Sequence, residues 1–365
     1  MRRDSVAVTT IDSHVEGEFI RTIVGGLGLR GLTLNNRISF FRKHYDGIRK
    51  SLTLEPRGRR GLIYAVLLRK SANIEADVST FFMYSEGYAD VCLVGVMAIA
   101  AAVIRRKKGR PRRKEAEVVV ETPTGLLHTR SRLQKGVLSV TVENFPAFIY
   151  KTALISLPGL GKIPAAIVYV TDFVALIDSK NLGMKLEASE LEVVIDKAIL
   201  IKRVINESFV LKHPLKSRPE PLSGVRIYSD SINKHSSISV TIFGEGNLDR
   251  SPCGNGTSAH MAYLFASGKV SLLEEWLHES PLGGKFVSRI TQVVRIGENE
   301  AYVTEITGRV GTSCKMCQIQ QRLFGRGHLL ALAGKHSGGR LVWAGGEQRR
   351  LWLLSLVLQG QNTEW

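Results

Sequence analysis

Cysteine is scarce in this chain: 365 residues contain four. So few thiols over that length build no disulfide framework, which excludes the small stapled secreted class and points to a reducing compartment. Long hydrophobic runs are missing too. The longest uncharged apolar stretch, Val91 to Ile104, is too short to span a bilayer and reads as a buried helix. Met1 to Ser5 lead into no signal-peptide apolar core. The expectation is a soluble, cytoplasmic protein with no membrane partner. Acidic charge is in the minority, with 33 Asp and Glu against 50 Lys and Arg and a net charge of +17. Much of the excess lies in Arg105 to Lys114. No aromatic residue interrupts that run, so base stacking has no support there, and it reads as a solvated loop whose contact with nucleic acid is non-specific.

What is present suits a globular chain long enough for two ordinary domains: 44% apolar residues and 35 glycines, which imply many tight turns. Ile38, Phe41, Tyr45, Ile48 and Leu52 recur at helical spacing and predict a helix over 34–54, and the same period predicts one from Ala188 to Asn206. β-rich runs include Ile20 to Val24, Leu62 to Leu68, Ser79 to Tyr84, Leu138 to Val142, the strand pair Ile167 to Ile177, Ile238 to Phe243 and Tyr302 to Ile306. A short helix is expected around Leu272 to Leu277. The prolines and glycines from Pro146 to Pro164 mark a domain boundary, dividing the chain into 1–158 and 159–309. Residues 310–365, rich in Gly, Arg, Gln, Leu and Trp, read as a poorly ordered tail.

The chemistry gathers at Asp249-Arg250-Ser251-Pro252-Cys253-Gly254-Asn255-Gly256-Thr257-Ser258-Ala259. A polar, Gly-rich turn carries one cysteine and runs straight into the apolar segment His260 to Ala266, so the thiol stands at a helix N-terminus. The dipole and free N–H groups there favour an anion, and a lowered thiol pKa is expected. Cys92 repeats the pattern, directly before Leu93 to Ala100. Two thiols in matching contexts can serve one substrate, one as base and the other as acid, with no pyridoxal phosphate or metal required. Cys314 and Cys317 form a single Cys-x-x-Cys without a second ligand pair, so no metal site is expected.

These residues resemble the proline racemase family, which includes 4-hydroxyproline epimerases and trans-3-hydroxyproline dehydratases. Further stretches agree in order: Asp12-Ser13-His14-Val15-Glu16-Gly17-Glu18, Leu54-Glu55-Pro56-Arg57-Gly58, Glu86-Gly87-Tyr88, Glu121-Thr122-Pro123-Thr124-Gly125 and Ile306-Thr307-Gly308-Arg309. The similarity runs from about Ser5 to Arg309. It implies an α/β (α+β) fold of two pseudo-symmetric halves, each a curled, mainly antiparallel sheet around a central helix, similar to diaminopimelate epimerase, with the active site between them. It implies catalytic roles for Cys92 and Cys253, an amine-binding role for Asp249, and carboxylate binding by the backbone at Gly254 and Asn255 and at Leu93 and Val94.

The implied activity is cofactor-independent inversion of Cα in proline or hydroxyproline, with a small imino acid as partner and room for a homodimer. Dehydratase members typically carry Thr or Ser in place of the first cysteine, so Cys92 favours epimerisation over a dehydratase-like lyase. The chain departs from the family where Leu93-Val94 stands for Gly-His, Asn255 for Thr, and Arg59-Arg60-Gly61 for a His-x-Asp segment. An imino-acid-binding member with impaired catalysis is the alternative that these departures imply.

Overall fold

The computed structural model describes residues 5–322, apart from 56–57, 59–60, 69–70, 72 and 107–114, and without the side chains of 5–6 and 314–322. The basic run beyond Arg106 and the expected tail beyond Arg322 lie outside the described residues.

The first half begins with the hairpin β1 (Ser5–Val15) and β2 (Glu18–Gly25). Helix α1 (Leu34–Thr53) crosses over to β3 (Ile63–Leu68), which runs parallel to β2. β4 (Val78–Tyr84) and the short β5 (Gly87–Ala89) follow, and α2 (Leu93–Arg106) crosses over to β6 (Glu115–Thr122), parallel to β4. β7 (Gly125–Gln134) and β8 (Val137–Glu143) complete a meander.

The second half repeats the scheme after an additional strand, β9 (Phe148–Leu157). It has the hairpin β10 (Gly161–Tyr169) and β11 (Phe173–Asp178), crossover helix α3 (Leu191–Ser208), and β12 (Leu222–Ser231) parallel to β11. β13 (Ser236–Phe243) and the short β14 (Asn247–Leu248) lead to α4 (Gly254–Ala266), then to β15 (Trp276–Glu279) parallel to β13, β16 (Lys285–Ile296) and β17 (Asn299–Arg322). Each half thus holds two repeats of one rule: antiparallel hairpins joined through helices that return the chain to a parallel neighbour, as parallel pairing requires.

β17 belongs to both halves. Its first part pairs with β16 and bridges Ala147 through Tyr302, and its later part pairs with β8 and β1. Those pairings close each sheet on itself, and each ring encloses one helix. α2 is apolar all round, with Val96, Met97, Ile99 and Ala100 fully buried, as a helix inside a sheet must be. α4 fills the second ring, where Ala259, Met261, Ala262 and Leu264 are buried against Trp276 and Ile290. α1 and α3 are one-sided and pack outside. Phe41, Ile48 and Leu52 of α1 and Val194, Ile201 and Ile205 of α3 face the sheets, each burial worth about 1.5–3 kcal/mol.

Two sequence expectations differ from the structure. Residues 272–277 form no helix, because Leu273 has φ 65° and Trp276 opens β15. The indole is fully buried and donates to Ser237 Oγ at 2.7 Å, a tertiary gain that overrides local helix propensity. Phe148, Ile155 and Leu157 of β9 pack in the core under α3. The backbone also stays extended past Arg309 to Arg322, because β1 would otherwise present an unpaired edge. Among the described residues no helix is long and apolar enough to cross a membrane.

Candidate active site

The two enclosed helices start at the same place. Leu93 at the head of α2 and Gly254 at the head of α4 touch: a Cβ built on Gly254 would lie 2.4 Å from Leu93 Cβ. Around this contact opens a cavity of about 560 Å³, and Cys92, Leu93, Val94, Asp249, Cys253, Gly254 and Asn255 all line it. Every site residue expected from the sequence is therefore gathered at one hollow. Cys314 and Cys317 lie on β17, and their side chains are outside the described residues.

Cys253 is the N-cap of α4 and has φ 65°, a left-handed conformation unusual for a residue with a Cβ. A hydrogen-bonded turn holds it there. Ser251 donates to Asp249 Oδ1 from its N–H at 2.9 Å and its hydroxyl at 2.7 Å, and Cys253 N–H donates to Ser251 Oγ at 3.1 Å. Gly256 N–H in turn donates to Cys253 Sγ at 3.2 Å, so the sulfur receives one of the helix's free donors. Cys92 stands at the same place on α2, half-buried, with the N–H groups of Gly95 and Val94 favouring its anion.

The expected lowering of the thiol pKa is reversed. Burial pushes Cys92 up to about 12, with Asp249 and Glu18 adding to the rise. Burial also drives Cys253 well above the ordinary thiol value, and Asp249 reinforces it. The helix-end donors act in the anticipated direction, but they are outweighed by desolvation. The same burial lifts Asp249 to about 6 against the pull of its Ser251 hydrogen bonds. Asp172 is raised as well, by burial, although Ser223 donates to it at 2.6 Å.

The sequence reading assigned no role to several residues that the fold brings here. Glu18 lines the cavity and accepts Arg250 N–H at 2.8 Å. Asp172 lines the wall beside Asn255, whose amide donates to Thr171 Oγ1 at 2.8 Å and lies 3.4 Å from Asp172 Oδ1. Arg226, fully buried on β12, donates to the Pro252 carbonyl at 2.6 Å and so props the cysteine turn from below. The one legible sign was an arginine between the apolar residues Val225 and Ile227. No group of three or more His, Cys, Asp or Glu that could hold a metal occurs among the described residues.

Comparison with known proteins agrees with this architecture. The chain is 33% identical to a proline racemase of Acetoanaerobium sticklandii, over 83% of this chain and 92% of that one. It is 32% identical to a trans-3-hydroxy-L-proline dehydratase of Bacillus cereus, over 82% and 90%. The crystal structure of a hydroxyproline epimerase from Agrobacterium vitis, with bound trans-4-hydroxy-L-proline, superposes with a TM-score of 0.77 at 25% identity, covering 88% of this chain and 93% of that one. A family model described as proline racemase matches residues 10–319, and the chain belongs to that family.

Proposed function

We propose that this protein is a cofactor-independent racemase or epimerase that inverts Cα of proline or a hydroxyproline through Cys92 and Cys253. The observation that carries the reading is that both thiols, each at the head of an enclosed helix, line one cavity together with Asp249. The substrate's secondary amine pairs with Asp249. Its carboxylate lies against first-turn N–H groups of α2 and α4, which have no acceptor within their helices. One cysteine, as thiolate, takes the Cα proton, and the other, as thiol, gives a proton to the opposite side of the same carbon. The first sulfur ends protonated and the second ionised, so the reverse reaction starts from the exchanged pair. The raised thiol values suit this cycle: a strongly basic thiolate is a better match for a weakly acidic C–H, and burial strengthens the charge contacts on the carbanion.

Incubation with L-proline and trans-4-hydroxy-L-proline in heavy water tests the reading, with deuterium at Cα and appearance of the inverted isomer as the expected result. One observation favours a second reading, an imino-acid binder that does not turn its ligand over. The Leu93 side chain fills the gap between the helix heads at Gly254, where a ligand carboxylate would approach. Ligand-dependent thermal stabilisation without exchange on any imino acid would support that reading and overturn the first.

A further inference from the structure

Arg226 is the one arginine among the largest fully buried side chains, with 0% exposure. Val225 and Ile227 on either side point into the core under α3, so strand alternation turns Arg226 toward α4. Its Nη1 donates to the Pro252 carbonyl at 2.6 Å and lies 3.4 Å from Thr241 Oγ1; its Nη2 lies 3.1 Å from His278 Nδ1, and Nε has no acceptor. Among the described residues no carboxylate lies within ion-pair distance of it. Asp230 pairs with His260 at 3.3 Å and Lys269 at 3.9 Å, and Asp249 accepts from Ser251. The Cys253 thiol shares this neighbourhood with the guanidinium and Thr241 Oγ1, which would lie 2.7 Å from a Cβ on Gly256. A Cβ on Gly256 would lie 3.0 Å from Arg226 Nη1 and 3.2 Å from Cys253 Sγ, so cation and thiol flank the same glycine.

A buried cation with no directly paired carboxylate is costly, and its retention suits a negative charge that forms in the same cluster. We propose that Arg226 is a positioning residue for the chemistry at Cys253: the buried counter-cation that holds the Pro252–Cys253 turn and makes a Cys253 thiolate attainable. The surrounding charges agree. Toward Cys253, Asp249 opposes ionisation, while Gly256 N–H, Arg226 and Thr241 favour it. Toward Arg226, the groups favouring its charge are Cys253 first, then Asp230, Asp249 and Tyr228. His278 on β15 and His260 on α4 are both kept neutral by burial, and Arg226 adds to that effect, so the guanidinium supplies the positive charge of this cluster at neutral pH. Burial lowers Arg226 only to about 10, which leaves it charged there.

This inference rests on Cys253 working as a thiolate, and its test does not depend on turnover. Iodoacetamide labelling of Cys253 and Cys92 in the full chain, quantified peptide by peptide by mass spectrometry across pH, reads each thiol separately. Arg226→Gln keeps a polar N–H side chain but removes the charge; Cys253 labelling at pH 8 should fall at least about tenfold and its inflection should rise by at least about one pH unit. Arg226→Lys should stay within about threefold of the parent, and Cys92 should be unchanged in both. A Cys253 profile unaltered by Gln would overturn the proposal. So would a Lys variant as unreactive as Gln with Cys92 intact, or loss of folding in the Lys variant, since either would mean that shape rather than charge is required. A normal Arg226 dependence in a protein that exchanges no substrate would instead count against the racemase reading alone.

Discussion

Asp249 is the residue whose environment makes the sharpest statement about pH. Its carboxyl is lifted from the ordinary 3.8 to about 6 by burial, so the folded protein holds a proton there that the unfolded chain releases. Stability from this group is therefore present at low pH and falls as pH rises from about 4 through about 6. Asp249→Asn keeps an acceptor for Ser251 while removing that charge. Its melting temperature should exceed the parent's at pH 7, and the difference should vanish near pH 4; a variant less stable than the parent at pH 7 would show that the buried charge has a partner unaccounted for.

At this scale the sequence was legible wherever function is local. Asp249, Cys253 and Asn255 are a few residues apart in one turn, and Cys92 shares their context. Arg226 was hidden because its partner Pro252 arrives only through the pairing of β12 with β13 and the chain beyond. The pKa error has the same origin: a helix N-terminus can be read from residue order, whereas the amount of protein covering the thiol cannot.

Among the elements, the contact between α2 and α4 sets how near the two thiols can stand. Gly254 must lack a side chain because Leu93 Cβ, not a flexible side-chain end, occupies the space. Gly254→Ala should destabilise the fold by about 1–3 kcal/mol in chemical denaturation. Leu93→Ala should not rescue it, since alanine retains the clashing atom. In a double-mutant cycle Leu93→Gly should couple favourably with Gly254→Ala. Additive losses in that cycle would mean that the helix heads do not meet.

The one-sided helices α1 and α3 and the apolar α2 were readable from periodicity alone, because their burial pattern follows the helix period. β15 was not, because Leu277 to Glu279 are extended for the sake of a parallel partner, β13, that lies far back in the chain.

For the whole molecule, β17 is the shared strand, and the pairing of β1 with its later part closes the first ring. Glu16 fastens the crossing, accepting from Arg309 N–H and Nε at 2.8 Å each and from Lys285 N–H at 3.0 Å. A chain ended after Arg309 should consequently lose cooperative unfolding and aggregate through the exposed edge of β1. An intact melting transition in that truncation would contradict the closure described above. The change of composition after Arg309 suggested an end to the fold there. Strand pairing depends on which edge awaits a partner, and that information lies in β1, at the opposite end of the chain.

Deuterium exchange at Cα, followed from each enantiomer of proline or 4-hydroxyproline with Cys92→Ser and Cys253→Ser beside the parent, bears most directly on the two-thiol account. Racemisation should fall by at least about a thousandfold in either variant, while Cys314→Ser keeps the parent's rate. Full racemisation surviving the loss of either Cys92 or Cys253 would contradict it.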